Sequence, residues 1–288
     1  MGAAFFDISI REVYGNHPVL HLCYMIRISL VVITIIICAA HPPGALKKVI
    51  DIPLPAGYVR LAQPANSYGA YLRALTLQQD RTVYLFNGAK KTNQGAQYAV
   101  LDMDIGNKDL QQCADAVIRL RAEFLYEAGR YNEIAFTLTN GFRCDYVHYA
   151  EGFRLNVNGN QCRWQRQQLK NYSYASFRQY LNLVFSYAGT RSLHAQLKAI
   201  PMSGMQPGAV FVQKGDPYGH AVTVMDMAYN PVTKDTIFLL SQSYMPAQSI
   251  HVLKNPEDGK LSPWYSLKAV DPIETPEWTF YQKDLKTF

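Results

Sequence analysis

Apolar positions are grouped unevenly along the chain, and the grouping predicts helices early and a cluster of strands late. Between residues 107 and 131 they recur at helical spacing, with Leu110, Cys113, Ala114, Val117, Ile118, Phe124 and Leu125 along one face. Asn107 is placed to cap this helix, Asp109 suits the positive end of its dipole, and Gly129 ends it. A second helix is expected over 173–189, stopped by Gly189, and a shorter one over 66–75, capped by Asn66 or Ser67. Short apolar or alternating runs bounded by turn residues predict strands over 57–61, 82–88, 97–105, 133–138, 209–213, 220–228, 235–242 and 248–253. A loop-rich stretch is expected from 139 to about 172, and a Pro- and Trp-containing tail after 253. The turn "YNPVTKD" joins 220–228 to 235–242, so these strands should pair antiparallel. Counting back from a turn centred near 231 and 232 sets His220 opposite about Gln242. The order of elements fits one α+β domain over residues 41–288.

Residues 1–40 read differently. Met25-Ile26-Arg27 opens into an apolar run from Ile28 to Ile37, closed by Cys38-Ala39-Ala40. A positive residue, an apolar core of about ten residues and a small-residue site describe an export signal. The run is short for a spanning helix, which needs about twenty residues. Met25 makes a better start for such a signal than Met1. A cleaved signal, a lipid on Cys38 and a membrane anchor stay open, and each places the domain outside the cytoplasm: periplasmic, cell-surface or secreted. The membrane is expected to be touched only through this segment.

Composition narrows the function classes. The 288 residues are 49% hydrophobic and 17% charged, an ordinary globular balance, with enough length for a sizeable core. The net charge of +6 is spread in ones and twos, without a basic stripe interleaved with aromatics, so no nucleic-acid partner is expected. G-x-S-x-G, H-E-x-x-H and C-x-x-C motifs are absent and the seven histidines do not cluster, so neither a metal nor a cofactor is expected. Of five cysteines, Cys113, Cys144 and Cys162 lie beyond the leader. In an oxidising compartment the neighbours Cys144 and Cys162 are expected to bridge, leaving Cys113 as the free thiol.

Cys113 and His220 then carry the chemistry. A thiol near a helix start gains acidity from the dipole, and His220 enters its strand after Gly215, Pro217 and Gly219, a loop that turns its ring toward a cleft. A base held on a rigid strand and oriented by the Gln242 amide is the pattern of an activated nucleophile. On this reading Cys113 alkylates near neutral pH and does so more slowly in His220→Ala. The Cys113 N–H and the Gln112 side chain would hold the oxyanion. Tyr218, Tyr244 and Trp164 are the aromatic candidates for gripping a substrate.

The stretch "PGAVFVQKGDPYGHAVTVMD" resembles the histidine region of NlpC-like cell-wall endopeptidases and their papain-like relatives. "NKDLQQCADAVIRLRAEFLY", "GHAVTVMDMA" and "LLSQSYMPAQSIHVLKNP" also resemble an uncharacterised family of bacterial secreted or lipoprotein-like proteins, across most of residues 50 to 285. The first resemblance implies a papain-like (NlpC-like) α+β domain in which a cysteine-bearing helix packs on an antiparallel sheet. In that domain Cys113 would be nucleophile, His220 general base and Gln242 the orienting residue. The implied activity is cleavage of an amide bond in cell-envelope peptide, peptidoglycan-like material. The alternative is a non-catalytic envelope module on the same fold, gripping a glycan or peptide in an aromatic-lined cleft.

Overall fold

The computed structural model of the protein describes residues 47–268 and 271–288. The expected leader and Cys38 lie outside them. The described residues belong to one compact unit, a mixed α+β arrangement dominated by one antiparallel sheet. Among them no helix is long and apolar enough to cross a membrane.

The helices, in chain order, are α1 (Tyr68–Ala74), α2 (Cys113–Glu127), α3 (Tyr146–Ala150), α4 (Tyr174–Tyr187) and α5 (Thr190–Gln196). The first strands are β1 (Val59–Arg60), β2 (Gln97–Val100), β3 (Ala135–Thr137), β4 (Arg143–Asp145), β5 (Phe153–Asn158), β6 (Gln161–Arg166) and β7 (Lys198–Ala199). Then follow β8 (Val210–Gln213), β9 (His220–Asn230), β10 (Asp235–Gln242), β11 (His251–Leu253) and β12 (Tyr265–Ser266). Last come β13 (Ile273–Glu274), β14 (Thr279–Phe280) and β15 (Leu285–Thr287). The main sheet runs β2-β11-β10-β9-β8-β15-β7, with β1 paired on β9 and β12 on β10. β3–β4, β5–β6 and β13–β14 are separate hairpins.

The sheet is covered on both faces, which is why β9 and β10 read as nearly continuous apolar runs. On one face α2 lays Ala114, Val117 and Leu120 over Ala221, Met225 and Ala228 of β9. On the other, Val222, Val224 and Phe238 pack with Phe280 and Leu285. Alternation along β9 therefore sends Ala221 toward α2 and His220 toward the opposite face. Burying an aliphatic side chain of this size is worth about 1.5–3 kcal/mol, so the two layers fix which face each β9 residue takes.

Several sequence expectations need correction. The segment 82–88 forms a turn with isolated bridges, Tyr84 to Lys90 and Leu85 to Gln248, instead of a strand. The stretch after 138 is not loop: it holds β4, α3, β5 and β6. Asn107 does not cap α2, which begins at Cys113. Ser67 rather than Asn66 caps α1, its hydroxyl accepting from the Ala70 N–H at 3.2 Å. The β9–β10 turn is centred later than the count assumed and a bulge follows Leu239, so Ser241 faces Thr223 and Gln242 falls opposite Val222. Gln242 and His220 still share a face, one pair apart, and meet on the diagonal.

Candidate active site

The start of α2 is set by tertiary contacts. Buried Arg119 reaches back from the helix to the Asp104 carbonyl, to the Asp104 carboxylate at 3.0 Å and to the Gln111 side chain. These bonds hold 104–112 away from helical geometry, although the residues themselves would permit a helix. Asp109 Oδ1 accepts from the Ala247 N–H at 2.6 Å, and Ser243 Oγ donates to the Gln111 carbonyl at 2.9 Å. The loop before the helix is thus tied to the end of β10. Gln112 becomes the cap residue, and Asp115 accepts from its backbone N–H at 3.1 Å. The result seats Cys113 in the first helical position.

The Cys113 sulfur lies 3.9 Å from the Gly219 carbonyl oxygen, and the backbone N–H groups of Ala114, Ala221 and Cys113 itself are close enough to favour its ionised form. It therefore rests against the backbone on either side of His220. It is 6% exposed and forms part of the wall of a cleft of about 350 Å³ whose lining includes Asp109, Gln112, Tyr218, Gly219 and Met245. Burial pushes the thiol up to about 12, and Asp115 adds in the same direction when ionised; the three N–H groups oppose this and lose. The expected lowered thiol pKa is therefore reversed. Burial also raises the Asp115 carboxyl well above the usual carboxylate range.

His220 opens β9, paired with Gln213 of β8. Its ring is 1% exposed, 4.9 Å from the Tyr244 ring, 5.2 Å from Trp278 and stacked on Phe280 at 5.8 Å. Nε2 meets Gln242 Oε1 at 2.8 Å, which leaves Nδ1 as the ring nitrogen for a second partner. Burial, only partly offset by Gln242, pulls the imidazole down to about 4, so it is neutral at neutral pH. Tyr244 links the two halves: its ring packs on His220 and the Cys113 sulfur helps raise its hydroxyl's pKa, after burial and Glu277. Cys113, His220, Gln242 and Tyr244 are thus drawn to one end of the sheet. No hydrogen bond joins the Cys113 sulfur to the His220 ring, which leaves β9 on the face away from α2.

A family model described as a domain of unknown function (4846) matches residues 49–287. The chain belongs to that family. No curated protein and no solved structure matches it. The family domain spans the α2 start, the β9–β10 hairpin and the cleft, so all of the candidate residues fall inside it.

Other expected residues take different places. Tyr218 stands 64% exposed on the cleft rim. Gln112 lines the cleft, with its amide donating to Asp109 at 3.1 Å. Trp164 is not in the cleft: it lies on β6, stacked on His148 at 5.6 Å and against Phe142. The expected disulfide is not formed, and Cys113, Cys144 and Cys162 are free thiols. Cys144 is buried on β4 beneath Tyr180, whose hydroxyl donates to its carbonyl at 2.9 Å. Cys162 belongs to the separate β5–β6 hairpin and its sulfur takes a hydrogen bond from Asn140 at 3.0 Å.

Three groups behind His220 escaped the sequence reading. His251, one of the seven histidines that form no cluster in the sequence, pairs with Gln242 across β10–β11. Glu277 and Lys91 join it from the β13–β14 turn and the 82–92 loop, and contact each other. The pairing of 248–253 with 235–242 was the available signal for His251; nothing in the local sequence marks the other two. Among the described residues no group of three or more His, Cys, Asp or Glu side chains is placed to hold a metal.

Proposed function

We propose that this domain is an exported thiol hydrolase of the papain-like, NlpC-like kind, cleaving an amide bond in cell-envelope peptide. The observation that carries the reading is the Cys113 sulfur at a helix start, against the strand residues flanking His220, beside a cleft. Support for the base comes from a neutral imidazole whose Nε2 is held by Gln242. In the proposed reaction the sulfur and His220 Nδ1, which are not bonded to each other at rest, come together, and Nδ1 takes the thiol proton as sulfur attacks the carbonyl carbon. The oxyanion is held by the Cys113 N–H and by Gln112 turned from Asp109. The imidazolium then protonates the leaving amine, and water, deprotonated by His220, releases the acyl group. A thiol of raised pKa fits this order, in which the proton leaves during attack. Export rests on the Met25–Ala40 pattern.

The second reading is a non-catalytic module gripping an envelope peptide or glycan. Its support is the nearly sealed thiol and the exposed Tyr218 at the rim. The two separate on purified peptidoglycan stem peptides, by chromatographic detection of new amine ends. Wild type should release them and Cys113→Ala should not. Saturable peptide binding with no cleavage by wild type makes it the binding module.

A further inference from the structure

Gln242 is only as useful to His220 as its own orientation is certain, because an amide turned end for end would offer a donor instead of an acceptor. Two neighbours settle which end faces where. Gln242 Nε2 donates to Glu277 Oε2 at 2.7 Å and lies 3.3 Å from His251 Nε2. Glu277 is a carboxylate held by Lys91, with Asn93 donating to its other oxygen at 3.1 Å. Burial works against its charge, but Lys91 and Asn93 prevail and keep the carboxyl below its usual range, so it accepts only.

His251 is equally constrained. Its Nδ1 is 2.9 Å from the Ser249 carbonyl, which can only accept, so Nδ1 carries the hydrogen and Nε2 presents a lone pair. Both groups facing Gln242 Nε2 are therefore acceptors. Turning the amide round would set its oxygen against a carboxylate and a lone pair in a buried site, with neither repaid by solvent. Oε1 must face His220, so His220 Nε2 must carry the hydrogen and Nδ1 must be bare.

We propose that Lys91, Glu277 and His251 are positioning residues that fix the tautomer of His220 through Gln242, keeping its Nδ1 lone pair free for a proton. That the proton comes from Cys113 rests on the hydrolase reading; the tautomer does not. The device spans the 82–92 loop, the β13–β14 turn and β11, and closes the back of the His220 pocket where Trp278 and Phe280 flank the ring.

Nitrogen NMR of protein with ¹⁵N-labelled histidine rings reads the tautomer with no substrate present. Wild type should show His220 with Nε2 protonated and Nδ1 bare, assigned through loss of the signals in His220→Gln. The pair Lys91→Met with Glu277→Leu removes both charges and leaves no buried ion stranded. It should move His220 to a mixture of tautomers and lower kcat by about tenfold at unchanged KM, the smaller end of what outer-layer partners of a functional histidine carry. His251→Phe tests the other acceptor without adding a charge and should shift the tautomer in the same direction. A wild-type His220 with bare Nε2, or a His220 signal unmoved in the folded variants, overturns the proposal. A wild type with the expected tautomer but no hydrolysis of any stem peptide would uphold the positioning and sink the hydrolase reading.

Discussion

The thiol of Cys113 should be slow to alkylate, and the structure sets how slow. Burial moves its pKa from an ordinary 9.0 to about 12. Each unit is tenfold in the thiolate fraction, so at neutral pH Cys113 holds about 1,000-fold less thiolate than a free thiol. The helix start and three N–H groups pull the other way; burial at 6% exposure outweighs them. The assay is iodoacetamide modification followed by peptide mass spectrometry across a pH series, with half-buried Cys162 as the internal reference. Modification of Cys113 should lag far behind that of Cys162 at neutral pH and climb about tenfold per pH unit through the alkaline range. His220→Ala should leave this resting rate nearly unchanged, since a neutral imidazole contributes no charge to hold a thiolate. Rapid, pH-independent alkylation between neutrality and mild acid, slowed by His220→Ala, would mean a resting thiolate–imidazolium pair. It would refute the reasoning that burial dominates.

Other outcomes follow from the same structure. Asp226, fully buried between Arg60 at 2.8 Å and Arg73, should on Asp226→Ala strand two cations at a cost of about 3–5 kcal/mol. By calorimetry that is a fall in Tm of about 10 °C for a domain of this size, and a fall under about 2 °C would show the pair to be dispensable. Burial lowers His220 and His251 to about 4 each, so the unfolded chain binds more protons between their ordinary 6.5 and that value. Stability should drop as pH falls through this window, by up to about 3 kcal/mol per histidine in urea titrations; a flat profile would mean that the rings charge freely. Trp164→Ala should leave KM for a stem peptide unchanged while lowering Tm through the lost His148 stack. A raised KM would place the β5–β6 hairpin in the substrate's path.

What the sequence revealed depended on whether local pattern and tertiary demand agreed. Residues 235–242 were read to the residue because an apolar run between turn residues is also what a strand covered on both faces requires. Likewise α4 was nearly complete, since Ser173 caps it and Gly189 follows it. At 107–112 the two disagreed, because helix-compatible residues are held out by Arg119, Ser243 and Ala247, partners too remote for a local window. That error mattered, since it hid the placement of Cys113 in the first helical position. The β5–β6 hairpin was legible and overlooked: Phe153, Leu155 and Val157 alternate with Arg154, Asn156 and Asn158, but the surrounding Gly- and Asn-rich stretch reads as loop. The Gln242–His220 contact was foreseen from the shared hairpin face, even with the register off by two residues. Nothing in the sequence singled out Lys91 or Glu277, which lie far apart in the chain and meet behind Gln242 only through the topology.

The central claim is that Cys113 becomes acylated, and trapping the acyl group tests it most directly. An activated ester of a stem-peptide acyl group bypasses the difficult amine departure, so acylation outruns release of the acyl group by water. Intact-mass spectrometry of wild type, quenched in acid within the first turnover, should therefore show one added acyl mass, mapped by digestion to the peptide containing Cys113 and absent from Cys113→Ala. Acylation at another residue, or turnover by Cys113→Ala equal to that of wild type, would contradict the account.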